Sequence, residues 1–301
     1  MRRLCLALSL SLVCVPAAAQ DAAPDAREGE NWGGSEIVVT GRNLKELSEP
    51  VVTRQARLVS RETDLRHTPL ATFSDYACPG VMGIKREFAE ALVGRIRLIA
   101  EELGVPLHQE GNCQPNILIV FTEDGRADLA AINRRTKELS RSLSAAERKE
   151  LLSHTGPAYV YTITEDRMRN GQRIPRRQNL VQIPTGTQEG GQSLISNGIR
   201  RDITSATVLF DFERVKDFSL IQLADYAAMR IFARTRDAQG EDAPDSILAL
   251  FDPANDAPPP GLTAFDRAFL TTLYEAPPYT SGQGNLQRVA STLRKQVGAQ
   301  E

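Results

Sequence analysis

The stretch Ser219 to Arg234 (SLIQLADYAAMRIFAR) constrains the fold most, because it reads as a helix with almost no side left for water. Leu220, Leu223, Ala224, Ala227, Ala228 and Ile231 recur at helical spacing, and Ile221, Met229 and Phe232 carry the apolar surface around the cylinder. Such a helix must be covered on most sides, so it is expected between layers of structure. Its start is written locally. Ser219 and Gln222 form a capping box, and Phe218 and Leu223 occupy the hydrophobic-staple positions. Asp225 and Tyr226 are the polar exceptions. A buried carboxylate has to be paired or hydrogen-bonded. Asp225 is therefore either a structural bond to an arginine or backbone group, or a ligand or acid/base group.

Elements elsewhere follow from periodicity and punctuation. Ile84, Phe88, Leu92, Ile96, Ile99 and Leu103 predict a helix over about 84–103, stopped by Gly104 and Pro106. Asn116 to Phe121 is a continuous apolar run suited to a buried strand. A charged helix is expected over about 127–140, and Ser144 with Glu147 opens another through a capping box. Strands are expected at 158–164, at 173–184 after an Asn170-Gly171 turn, and at 203–212. Further helices are expected near 246–251, 263–274 and 285–296. A helix, a strand, helices, three strands and then helices predicts an α+β domain with a small, mostly antiparallel sheet packed with helices.

The N-terminus predicts a compartment. Arg2 and Arg3, an apolar run from Leu4 to Val15, and Ala17-Ala18-Ala19 have the form of a secretory signal peptide over 1–19. The run falls short of the roughly 20 apolar residues that a membrane-spanning helix needs. Residues 20–70 are expected to be disordered or extended, with a short strand near 36–40, and residues 71–297 to form a single domain. Cleavage would remove Cys5 and Cys14 and leave Cys78 and Cys113, which an oxidising periplasmic or extracellular setting would pair as a structural disulfide. A redox-active pair is the alternative, although such pairs favour Cys-x-x-Cys spacing. The net charge of −2 includes Arg2 and Arg3, so the chain after cleavage is slightly acidic and gives no general case for nucleic acid or an anionic membrane.

Three other features carry possible chemistry. The segment 165–177 (EDRMRNGQRIPRR) places Arg167, Arg169, Arg173, Arg176 and Arg177 on an expected basic hairpin. Guanidinium forks match carboxylates and phosphates, so anionic envelope glycans or an acidic protein are the expected partners, against a merely solvated hairpin tip. Asp211 and Glu213 share a strand face and are candidates to join Asp225 and Tyr226 in a polar cluster for calcium binding or acid/base work, against solvated strand-end acids. His67, His108 and His154 are far apart in the chain, with no local metal-ligand spacing. No metal or cofactor is expected.

The residues Thr207 to Asp217, the helix Ser219–Arg234, Asp245 to Leu248, Leu262 to Asp266 and Leu273-Tyr274, with Cys78-Pro79-Gly80 and Asn112 to Asn116, resemble a family of uncharacterised secreted bacterial proteins. That family is distantly similar to predicted zincin-like metallopeptidases of bacterial envelopes. The resemblance implies an α+β domain whose active-site helix carries His-Glu-x-x-His. Here the helix 219–234 has no histidine, so no catalytic residue carries over. The expectation is a secreted or periplasmic, non-catalytic binding or accessory protein on a degenerate zincin-like scaffold. The alternative is a hydrolase of peptides or cell-wall material using Asp225 and nearby carboxylates, and a third reading is a purely structural envelope protein.

Overall fold

The computed structural model describes residues 48–109, 113–174, 198–240 and 245–299. The expected signal peptide, the strand near 36–40, Arg176 and Arg177 lie outside these residues. Five strands form one sheet: β1 (Thr72–Phe73), β2 (Pro79–Met82), β3 (Ile117–Thr122), β4 (Ala158–Met168) and β5 (Ile199–Asp211). β5 is the central ribbon. One of its edges pairs in parallel with β1 (Thr72 opposite Asp202) and, further along, with β3 (Ile117 opposite Ala206 through Thr122 opposite Asp211). β2 lies parallel on the far side of β3, and β4 runs antiparallel along the other edge of β5.

The expected mostly antiparallel sheet is therefore corrected to one in which β1, β2, β3 and β5 are mutually parallel and only β4 is reversed. Two features of the sequence hid this. β2 is four residues long and carries Pro79 and Gly80, so it lacks a strand's usual composition. The helix between it and β3 is the crossover that parallel pairing requires. The turn at 170–171 exists, with Gly171 at φ +86° and its N–H donating to the Met168 carbonyl. Of the strand expected at 173–184, only residues 173 and 174 are described. Arg173 makes one bridge to Arg167, and residues 175–197 lie outside the described residues. The continuous partner of β4 is β5.

Helices cover both faces of the sheet. In β3, Ile117, Ile119 and Phe121 are buried, and in β5 so are Ile203, Ala206, Val208 and Phe210; these belong to the larger core. That core also takes in α2 (Arg86–Glu102) and α7 (Leu220–Phe232), which pack against each other. On the other face, Tyr159, Tyr161 and Leu209 meet Leu129, Leu139 and Leu151 from α3 (Gly125–Arg135), α4 (Glu138–Ser142) and α5 (Ala145–Ser153). The period-two alternation of strand side chains makes this division. In α7, every residue from Leu223 to Phe232 is buried, as its composition demands. A fully buried Leu, Ile, Phe or Met side chain stabilises the fold by roughly 1.5–3 kcal/mol. The capping boxes at Ser144 and Ser219 both form.

The remaining elements are the single turn α6 (Phe212–Val215), a 3₁₀ turn at Ile247–Ala249, and α8 (Ala264–Glu275) packed on α9 (Gly282–Gly298). A further helix, α1 (Glu49–Val59), packs on α9 and falls within the segment expected to be disordered or extended. Its buried stripe of Val52, Ala56 and Val59 is only two turns long, too short to stand out among charged neighbours. Phe88, placed by spacing on the buried face of α2, is exposed. Cys78 and Cys113 form the expected disulfide, with Cα atoms 6.2 Å apart, bracketing α2.

Candidate functional site

The four residues expected to form a polar cluster do not converge. Asp225 has no exposed surface. Its Oδ1 accepts from Arg95 Nε at 2.7 Å, and its Oδ2 accepts from Arg95 Nη2 at 2.9 Å and from the Leu262 N–H at 2.7 Å. This bidentate bond ties α7 to α2 and to the loop entering α8. Gly261 is needed beside it, since a Cβ there would lie 2.6 Å from Asp225 Oδ2. With no exposed surface and both oxygens accepting, Asp225 serves as a structural tie.

Tyr226 faces another way. Its hydroxyl donates to Asp237 Oδ1 at 2.6 Å and accepts from Arg230 Nη1 at 2.7 Å, while Arg230 also bonds Asp237. Burial pushes its phenol well above the usual value; Arg230 pulls the other way. Asp211 ends β5, and Glu213 is exposed and paired with Lys216 at 2.6 Å. Glu213 instead lines an open cleft of about 710 Å³ at the carboxyl ends of β2, β3 and β5, with Glu123, Asp124, Asp128 and Phe212. That position is where open parallel sheets often bind ligands. Its carboxylates are largely engaged: Asp124 caps α3 through the Ala127 N–H, and Asp128 takes the Thr122 hydroxyl. Among the described residues no three His, Cys, Asp or Glu side chains are placed to hold a metal ion.

The described arginines of the expected basic hairpin, Arg167, Arg169 and Arg173, each meet a partner within the protein, although Arg173 remains exposed. Arg167 is buried, bonding both Asp75 oxygens at 3.2 and 2.8 Å and Glu165 at 3.1 Å, with Asp202 3.3 Å away. Burial raises the Asp202 carboxyl, while Arg200 and Arg167 draw it down. Arg169 stacks 3.8 Å over the Tyr279 ring, and Arg173 lies 3.3 Å from Glu165. Arg167 and Arg169 fasten β4 to its surroundings, and Arg173 stays at the surface beside Glu165.

Positive charge gathers elsewhere. Beyond α7 the chain pairs with the segment leaving α1: Arg61 N–H donates to the Arg234 carbonyl at 3.0 Å, and Arg236 N–H to the Val59 carbonyl at 2.8 Å. This two-rung ladder brings Arg61, Arg234 and Arg236 beside Arg230 on the last turn of α7. They stand next to edge strand β4 and the end of α5. A cavity of about 210 Å³ opens there, lined by Arg61, Arg230, Arg236, His154, Glu150 and Asp237, with an apolar wall that includes Leu151 and Val160. Arg61 binds Glu150 at 2.9 Å, and Arg230 binds Asp237. Arg234 turns aside to Glu62 (2.8 Å) and Glu147. Among the described residues the Arg236 guanidinium forms no ion pair. Arg230 is buried, and its Nε has no hydrogen-bond partner.

The electrostatics reflect crowding of like charge. Burial, then the Arg230 guanidinium, lowers Arg61 from its usual value, Glu150 opposes, and Arg234 and Arg236 add to the lowering. His154, the C-cap of α5, is lowered by burial; Asp237 raises it and Arg230 lowers it further. It therefore stands neutral at pH 7. Three guanidinium groups against two carboxylates leave the cavity cationic. One sequence signal pointed here: Arg230 is the one cation in α7, followed closely by Arg234 and Arg236-Asp237. Arg61, Glu150 and His154 come from distant segments and gave none. No protein-family model, curated protein or solved structure matches this chain, so the reading of the cavity rests on its own side chains.

Proposed function

We propose that the protein is a non-catalytic binding protein of the cell envelope, and that its ligand is a small molecule bearing a carboxylate or phosphate. The observation that carries this reading is the 210 Å³ cavity into which Arg61, Arg230 and Arg236 converge, with Arg236 lacking an ion-pair partner among the described residues. A guanidinium supplies a planar fork of donors that stays charged at any working pH. Charge-assisted bonds in a recess are also stronger than those on an open surface. The signal-like N-terminus supports an envelope setting, as does a disulfide that favours oxidising compartments. A binding role is favoured over hydrolysis because Asp225, the carboxylate a hydrolase would have used, is sealed against Arg95.

Calorimetric titration with a panel of inorganic phosphate, short carboxylates and α-amino acids tests the proposal. At least one compound should bind saturably to the wild type and at least tenfold more weakly to Arg236→Gln. That variant should keep the wild-type unfolding midpoint, because Arg236 is exposed. Absence of saturable binding across the panel, or equal binding by the variant, would sink the reading.

A further inference from the structure

The acids of the cavity narrow the ligand further. A pocket for inorganic phosphate or another multivalent oxyanion gains nothing from carboxylates in its wall, since like charges at close range are costly. Here Glu150 and Asp237 stand beside the arginines, and each has an oxygen to spare. Asp237 accepts from Tyr226 and Arg230 through Oδ1, and Glu150 from Arg61 through Oε2. Asp237 Oδ2 and Glu150 Oε1 take part in no hydrogen bond among the described residues. Leu151, Ala158 and Val160 make the rest of the wall apolar, with neutral His154 beside them. One recess thus offers an unpaired cation, free carboxylate acceptors and an apolar surface.

We infer that the ligand is a free α-amino acid with a small apolar side chain, its carboxylate on Arg236, its ammonium on the spare oxygens of Asp237 and Glu150, and its side chain against Leu151 and Val160. This rests on the anion-binding reading above. A zwitterion is the ligand type that satisfies both signs of charge at once. A ligand lacking either charge would leave Arg236, or the spare oxygens of Asp237 and Glu150, without a partner in the complex. The cavity is small beside the roughly 300–1,000 Å³ of drug-sized pockets, as suits a ligand of this size.

Valine serves as the probe, with 3-methylbutanoate as the same molecule without its ammonium and isobutylamine as the one without its carboxylate. Calorimetry on the full mature chain should show valine binding at least tenfold more tightly than either analogue and more tightly than inorganic phosphate. Glu150→Gln should weaken valine at least tenfold while leaving 3-methylbutanoate unchanged or tighter, because the change removes an ammonium acceptor and frees Arg61. A general loss of structure would weaken both. If phosphate binds in an Arg236-dependent way and valine does not, the zwitterion inference is overturned while the anion-binding reading stands. If nothing binds, both fall.

Discussion

Removing the Asp225 carboxylate should cost more stability than any other single charge deletion in the described residues. In Asp225→Ala the fold loses three hydrogen bonds at 2.7–2.9 Å and leaves the Arg95 guanidinium, whose side chain is 10% exposed, without its counter-ion. It also leaves the Leu262 N–H unpaired. Breaking a buried pair from one side destabilises by about 3–5 kcal/mol, because the surviving charge stays desolvated. Against a typical total of roughly 5–15 kcal/mol, that takes a third or more of the stability. Arg95→Ala should cost a similar amount for the mirror-image reason. The pair Arg95→Met with Asp225→Leu should cost far less than the sum, within about 2 kcal/mol of wild type, since an apolar replacement carries no desolvation penalty. Urea unfolding of the oxidised protein, followed by circular dichroism, reads all four proteins at once. A loss under 1 kcal/mol for Asp225→Ala, or additive single losses, would mean that the bond is not the tie between α2 and α7. The functional reading would shift with it, because an Asp225 that costs nothing to remove would again be available for chemistry.

Two further expectations follow from the fold. Replacing both Cys78 and Cys113 with serine should lower stability by about 4 kcal/mol by the chain-entropy relation for the loop they close, and reduction of the wild type should match it in urea; a loss under 1 kcal/mol would count against the constraint. Asp266 is fully buried, and that burial lifts its carboxyl to about 6 despite bonds from Ser246, Ile247 and Thr263. Since the folded protein holds this proton more tightly than the unfolded chain, the stability contribution is full below about pH 4. It declines by about 3 kcal/mol as the pH rises through 6. A carbon-13 titration of the Asp266 carboxyl with a midpoint below 4 would show that its hydrogen bonds outweigh burial.

The chain wrote its local structure plainly. Ser144 with Glu147 and Ser219 with Gln222 start α5 and α7 where the capping boxes stand, since capping is decided within one turn. The apolar periodicity of 84–103 and 116–121 became α2 and β3, and Cys78 paired with Cys113. Asp225 was legible as a residue in need of a partner, although its neighbours in sequence could not say which. Strand direction was not written locally. Whether β3 meets β5 in parallel depends on where the intervening helices carry the chain, and no residue within either strand encodes that. The charged groups obeyed the same division. The hairpin arginines looked free in sequence because Asp75 and Asp202, which hold Arg167, lie far along the chain. Conversely, Arg61, Glu150, His154 and Arg236 carry no shared motif, and they line one cavity only because the ends of α1, α5 and α7 meet beside β4. The sequence by itself determined which residues cap, turn, cross-link and bury. Which charges cancel and which stay unpaired is set by the tertiary structure alone, because Coulomb energy depends on distance in space, and distance in space is what folding sets.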